Sequence, residues 1–358
     1  MSGSIFGTMF CVSTFGESHG PALGAVVDGC PAGVPLSQEY IQAALDRRKP
    51  GDSPYTTPRK EADQVEILSG VFDGRTTGAP VALLVRNTNA RSADYDPSPY
   101  RPGHADLTFD LKYGFRDHRG GGRSSGRETA ARVAAGAVAQ AFLAELGVDV
   151  YAYTCAIGGV AVGQVDKSVT NALNMPDAAA FEAAACKVQA AMAAGDSLGG
   201  EIVGEITGLP PGVGEPVFRK FSAVLGQALL SIGGVKGVDF GAGFAVANVT
   251  GHENNDALFP GTPFRKDTNH AGGMYGGITD GSPVTFRLAV KPTPSIAKAQ
   301  HSINQQGEAI SLSVGGRHDP LIVPRAVPVA QAMAALATAD LLLQSLASNM
   351  DNIRKIFT

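Results

Sequence analysis

The longest helical runs of this chain are written in alanine, and it has no tryptophan to set between packed layers. Small side chains must therefore fill the interior, and helices that fill space this way have to approach one another closely. The two long runs are Glu128–Leu146, ended by Gly147, and Ala326–Ser348. Shorter ones cover Gln38–Arg48 between Ser37 and Pro50-Gly51, Asp177–Ala194 before Gly195, and Pro216–Leu230. Strand-like segments lie at Ile5–Phe15, Ala22–Val27, Gln64–Val71, Val81–Val85, Val148–Thr154, Glu201–Ile206, Gly241–Val249, Pro283–Val290 and Ala309–Val314. They arrive in groups with long helices between, which favours α+β layers over a doubly wound parallel sheet. No composition break divides the chain, so one domain over 1–358 is expected; helix–strand groups recurring on both sides of the middle leave two similar halves open.

Charged residues make up 17% of the chain, against about 25% in an average domain. The net charge of -4 argues against coating nucleic acid by bulk electrostatics, so any positive site must be local. No uncharged run reaches the about 18 residues that a membrane span needs. The first lysine or arginine is Arg47, which leaves a signal peptide without its positive region. A cytoplasmic protein is expected, bound to neither membrane nor nucleic acid. Cys11, Cys30, Cys155 and Cys186 are scattered with no C-x-x-C pair, as reduced and mostly buried thiols would be, and no metal site is expected.

Long irregular segments at 49–63, 86–107, 114–126, 251–278 and 315–324 each hold an arginine, and all but the first hold a histidine. Walker A and Rossmann fingerprints are missing, so a bound phosphate would rest on side-chain cations and helix starts. Gly16–Gly20 matches the G-x-S-x-G elbow of serine hydrolases, with Ser18 as nucleophile, but an elbow follows several strands and precedes a helix, whereas one strand precedes Ser18 and another follows it. Arg101–Asp106 sets His104 in a Pro-Gly turn between a cation and a carboxylate, whose opposed effects leave the direction of any pKa shift open. His19 and His104, each in a glycine-containing turn, are the candidates for proton transfer.

The strongest local signal is Arg116–Thr129. Ser125-x-x-Glu128 reads as a capping box at the start of the alanine-rich helix, the glycines admit close backbone approach, and four arginines face the positive end of the helix dipole. Such an arrangement receives anions, phosphate or carboxylate above all. An RNA-binding Arg/Gly segment is the rival reading. Ser295 is placed to cap a helix over Ile296–Gln300, after Lys291-Pro292-Thr293-Pro294. Arg317, His318 and Asp319 share one glycine-started turn.

Taken together, Thr14–Gly20, Arg101–Asp106, Arg119–Thr129, Gly272–Gly281, Lys291–Ser295 and Gly315–Pro320 resemble the chorismate synthase family, in order and over the whole length. The resemblance implies a β-α-β sandwich, helices between antiparallel sheets, assembled as a homotetramer. It implies a 1,4-elimination of phosphate from 5-enolpyruvylshikimate 3-phosphate, the last common step of aromatic amino acid biosynthesis, dependent on reduced FMN without net redox change. By matching position, Arg48, Arg101, Arg127 and Arg317 would bind the substrate and His19 would protonate the leaving phosphate, with Ser18 beside it; Ser125 is a further catalytic candidate. His104 would protonate the reduced flavin, and Asp319 would take part in passing on the substrate's C6 proton. FMN contacts would fall on Arg123, Ser124, Ser125, Gly233, Gly234, Gly276, Lys291, Pro292, Thr293, Pro294, Ser295 and Arg317. Arg48 would also meet NADPH if the protein reduces its own flavin, the alternative being an external flavin reductase. The sequence departs from the family pattern at Gly233-Gly234, where Asn-Ala is common, at Gly126, where alanine is common, and at Pro54, where a second arginine is usual.

Overall fold

Alternation of buried and partly exposed side chains lays Val81–Arg86 and Gly200–Thr207 down as inner strands of two antiparallel sheets. The computed structural model describes residues 3–49, 51, 54–55, 62–88, 96–261, 264–315 and 319–357. Across the first sheet run Ile5–Phe6, Cys11–Gly16, Ala22–Asp28, Val81–Arg86 and Val65–Ile67. Across the second run Val235–Phe240, Val284–Val290, Gly200–Thr207, Asp149–Ile157 and Val160–Ala161.

One pattern occurs twice, once in each sheet. In chain order, Cys11–Gly16, Ala22–Asp28, Val65–Ile67 and Val81–Arg86 correspond to Asp149–Ile157, Gly200–Thr207, Val235–Phe240 and Val284–Val290; in each sheet the fourth lies between the second and third. A short helix joins second to third strand, Gln38–Arg48 in one half and Phe221–Leu230 in the other, and a long helix follows the fourth, Thr129–Ala144 and Val323–Ser345. The two similar halves left open above are present. Because neighbouring strands are antiparallel, three features of each half share one end: the connection after the first strand, the C-terminus of the short helix, and the route from fourth strand to long helix.

Thr129–Ala144 packs on the first sheet, Val323–Ser345 on the second, and each on the other. Their crossing is as tight as the alanine content requires. A Cβ added at Gly136 would lie 2.3 Å from Ala332 Cβ and 2.5 Å from its Cα. The α+β sandwich expected from the sequence is thus the fold. Val323–Ser345 is long and apolar enough to cross a membrane, yet 94% of its most apolar window is buried inside the protein.

Local departures have local causes. The run Ile5–Phe15 is split into Ile5–Phe6 and Cys11–Gly16, because buried Asp340 accepts from the backbone N–H groups of Thr8, Met9 and Phe10 at 2.8, 2.7 and 3.1 Å. Gly241–Val249 is not a strand: Gly241 and Gly243 at φ 57° and 56° turn the chain out of the sheet, and Gly243–Asn248 winds into a 3-10 helix. The helix expected from Pro216 begins at Phe221, whose N–H is taken by Gly277 O at 2.8 Å. Ser295 caps no helix; Ala297 and Lys298 donate to Gly195 O (3.0 and 3.2 Å), and the chain continues into the hairpin Gln300–Ile303 with Ala309–Leu312. Of the four cysteines, all free, only Cys30 is fully buried, and burial pushes its thiol up to about 11; Cys186 is exposed on the outer helix Ala178–Ala193.

Candidate active site

The turn that joins Cys11–Gly16 to Ala22–Asp28 carries Ser18 and His19, both buried. Since it links two antiparallel strands rather than a strand and a helix, it is no nucleophile elbow. Ser18 Oγ has no hydrogen-bond partner among the described residues. Both side chains press on the glycine loop: a Cβ added at Gly120 would lie 2.4 Å from His19 Cδ2, 2.5 Å from its Nε2 and 3.0 Å from Ser18 Oγ. The next glycine meets the other histidine. A Cβ at Gly121 would be 3.0 Å from His104 Cε1 and 3.4 Å from its Nε2. Adjacent Cα atoms are about 3.8 Å apart, so the two imidazole Nε2 atoms are at most about 13 Å from each other. Gly120, Gly121 and Gly122 all have positive φ (67°, 95° and 53°), which is why glycine occupies them.

His104 is held from behind. Its Nδ1 lies 2.9 Å from Asp106 Oδ1 and 3.1 Å from Arg101, and Arg101 also donates to both Asp106 oxygens at 2.7 and 2.8 Å. Arg116 Nη1 comes within 3.6 Å of the same carboxylate. Burial would raise the Asp106 carboxyl, but hydrogen bonds from Arg101 and His104 outweigh it and hold the group well below the usual carboxylate range.

The capping box read from Ser125 and Glu128 is not formed. Ser125 Oγ accepts from Arg127 N at 3.3 Å, while the Glu128 carboxylate turns to Arg132, so the long helix is entered through two 3-10 turns, Gly122–Ser124 and Gly126–Glu128. Nor does the Arg/Gly loop offer four unengaged cations, as an RNA-binding segment would. Arg119 pairs with Asp117, Arg116 with Asp110, and Arg123 donates to Gly16 O, Ser4 Oγ and Thr14 Oγ1 at 3.2, 3.1 and 2.7 Å. Ser124 Oγ donates to Gly121 O (2.7 Å), bracing the loop.

Arg48 and Arg127, both expected to meet anions, are 1% and 6% exposed and share one carboxylate, Asp63, which the sequence did not single out. Asp63 adopts φ 47°, a conformation a non-glycine residue holds only when its surroundings fix it. Burial raises its carboxyl, and the charges of Arg48 and Arg127 more than reverse this. Burial lowers the Arg48 guanidinium to about 10, so it remains a cation at neutral pH. Two guanidiniums on one carboxylate keep a net positive charge. Arg48 also contacts Thr129 Oγ1 at 3.4 Å, and its backbone carbonyl accepts from Arg325 (3.2 Å), the partner of Asp319.

The second half closes the site. Lys291 Nζ donates to Gly103 O at 2.5 Å, and a Cβ at Gly103 would sit 3.4 Å from Pro294 Cβ, so the Lys291–Ser295 turn covers the His104 turn. Burial and the nearby Lys236 lower the Lys291 ammonium. Thr293 O accepts from Ser197 Oγ (2.7 Å), whereas Thr293 Oγ1 is buried without a partner among the described residues; Ser295 is buried and Pro292 exposed. Lys291 N donates to Gly234 O (2.9 Å), which brings Gly233 and Gly234 to the same edge. Gly276 is placed elsewhere. Its hairpin packs through Gly277 O on Phe221 N, the start of the helix whose far end precedes Gly233, and ten helical residues span about 15 Å. Arg317 and His318 lie outside the described residues.

A family model described as chorismate synthase matches residues 10–343. A chorismate synthase of Lachnoclostridium phytofermentans is 55% identical to this chain over 100% of both sequences, and one of Lachnospira eligens is 53% identical over 100% of both. Among solved structures, a crystal structure of chorismate synthase superposes with a TM-score of 0.75 at 31% identity, covering 98% of this chain and 97% of the other.

Proposed function

The chain belongs to the chorismate synthase family, and on that premise we propose that it is the lyase that forms chorismate, eliminating phosphate 1,4 from 5-enolpyruvylshikimate 3-phosphate with reduced FMN bound. One observation carries the reading: His19 and His104, 85 positions apart by their numbers, rest on consecutive glycines beside buried arginines. The substrate has two carboxylates and a phosphate, and loss of the phosphate concentrates negative charge on the departing oxygen. Arg48, Arg127 and Arg101 neutralise the anionic groups, and His19 delivers a proton to the leaving phosphate. Ser18 Oγ, beside His19 and unpartnered among the described residues, relays or holds that proton. His104 keeps an Nδ1–H on the acceptor-only Asp106, which leaves Nε2 for proton exchange on the Gly121 side. Asp319, paired with Arg325, is the carboxylate for the proton lost from carbon. Proton and phosphate leave together, so atoms and electrons balance without net redox change.

The residues suit a phosphorylated flavin. Ser18 Oγ and Thr293 Oγ1 are buried hydroxyls without partners among the described residues, and Gly120 and Gly121 present backbone without side chains. Lys291, Thr293, Ser295, Arg123, Ser124 and Ser125 would hold the cofactor, which supplies transient electron density to the allylic system when bound. Assembly as a homotetramer would cover apolar side chains such as Phe115, Phe218 and Phe244, which are 88%, 92% and 80% exposed. The test is anaerobic release of phosphate and formation of chorismate with chemically reduced FMN. Turnover is expected with reduced FMN and not with oxidised FMN or none; phosphate release independent of flavin state would refute the reading.

A further inference from the structure

Asn87 follows the Val81–Arg86 strand directly and was not among the residues read as functional. Its side-chain Nδ2 donates to Glu17 O (3.0 Å) and Gly20 O (2.8 Å), the two carbonyls that bracket Ser18 and His19. Its Oδ1 accepts from Arg127 Nε at 3.0 Å. Chemistry settles the orientation of this amide, because a guanidinium only donates and a carbonyl only accepts. Turned over, it would set donor against donor and acceptor against acceptor. The turn does not need Asn87 to close, since Gly20 N already donates to Glu17 O at 3.2 Å. What the amide adds is a link to Arg127, itself fixed by Asp63.

We propose that Asn87 is a positioning residue: it locks the Ser18–His19 turn to Arg127, so that the proton donor and the anion-binding guanidinium keep one spacing. This inference rests on the lyase reading above. Asn87→Asp preserves shape and the Arg127 contact but turns an oxygen toward the Glu17 and Gly20 carbonyls. Asn87→Ala removes both contacts without adding charge. For Asn87→Asp, kcat should fall about a hundredfold with substrate KM within about twofold, the cost of displacing a reacting group by about 1 Å. Asn87→Ala should lose the same kcat and raise KM as well. In nitrogen-labelled histidine NMR, the His19 resonance should move in both variants and that of His104 should not. Parental kcat in folded Asn87→Asp, or an unmoved His19 resonance, overturns the proposal; so does failure of both variants to fold, which would make the amide a folding element. A parent enzyme that forms no chorismate with reduced FMN would instead overturn the lyase reading, and the NMR comparison would still decide the positioning role.

Discussion

Replacing Gly120 with alanine separates the contribution of the glycine loop to folding from its contribution to turnover. Gly120 sits at φ 67°, with the His19 ring against it. An L-residue in the left-handed region costs roughly 1–2 kcal/mol, readable as a lowered midpoint in urea unfolding. The second effect is geometric. The new methyl would start 2.4 Å from His19 Cδ2, and an ordinary carbon–carbon contact is about 3.5 Å, so the ring or the loop must give by about 1 Å. A shift of that size at a proton donor costs on the order of a hundredfold in kcat. Gly126→Ala is the matched control: it stands in the same segment, a Cβ there meets nothing within 4 Å among the described residues, and its φ is not in the left-handed region. It should keep parental kcat and gain about 0.4–1 kcal/mol, because alanine restricts the unfolded chain more than glycine does. The assay is anaerobic chorismate formation with reduced FMN alongside unfolding of each variant. Folded Gly120→Ala at parental kcat, or Gly126→Ala damaged to the same degree, would refute the placement of His19 on this loop as the determinant of turnover.

Asp63 and Asp106 have folded-state pKa values depressed below the unfolded reference of about 3.9, so their stabilisation is complete above that pH and is lost as pH falls through the folded values. Asp106→Asn should accordingly flatten the acid limb of unfolding free energy against pH; an unchanged limb would contradict the assignment. Asp63→Asn leaves two buried guanidiniums without their carboxylate and should destabilise the fold by about 3–5 kcal/mol in urea titration, with a change under 1 kcal/mol counting against a shared buried pair. Gly136→Ala forces a methyl against the Ala332 backbone and should cost about 1–3 kcal/mol; an unaltered melting temperature would show that the helices can separate freely. Pro54 is exposed, and Pro54→Arg should leave substrate affinity unchanged or tighter in equilibrium titration; weaker binding would show that the usual second arginine has no counterpart here.

Much of this arrangement was legible in the residues, for reasons that can be named. Alanine and glycine in two long helices foretold the close crossing at Gly136 and Ala332, since no larger side chain would fit there. His19 and His104 are legible as candidates because an imidazole in a glycine-containing turn can exchange protons near neutral pH, and the structure brings the two to adjacent glycines. Asp63 could not be read the same way. An aspartate at the end of a long irregular segment has nothing in its neighbours to announce a left-handed φ or burial between two arginines. Asn87 was equally silent, because an asparagine just past a strand is an ordinary turn residue until its three partners are seen. The Ser125–Glu128 spacing misled in the opposite direction: it satisfies the capping pattern, yet Arg132 competes for the glutamate from one helical turn on. A true capping box is formed at Thr250 and Glu253, in the four-residue helix Gly251–Asn254, too short to be read from its sequence.

The duplication accounts for why residues far apart in the chain meet at one end. In the first half, the C-terminus of the short helix supplies Arg48, and the route from fourth strand to long helix supplies Arg101, His104 and Arg127. The equivalent positions in the second half supply Gly233 and Gly234, then Lys291–Ser295 and Asp319. The halves have therefore diverged in chemistry while keeping topology: the first contributes guanidiniums and imidazoles, the second a lid of proline, threonine and lysine. At the site end, Lys291 bonds to Gly103 and Arg325 to the carbonyl of Arg48, tying the second half to the first. Gly276 belongs to the connection between third and fourth strands, which leaves from the opposite end in both halves, so within one chain it does not approach His104.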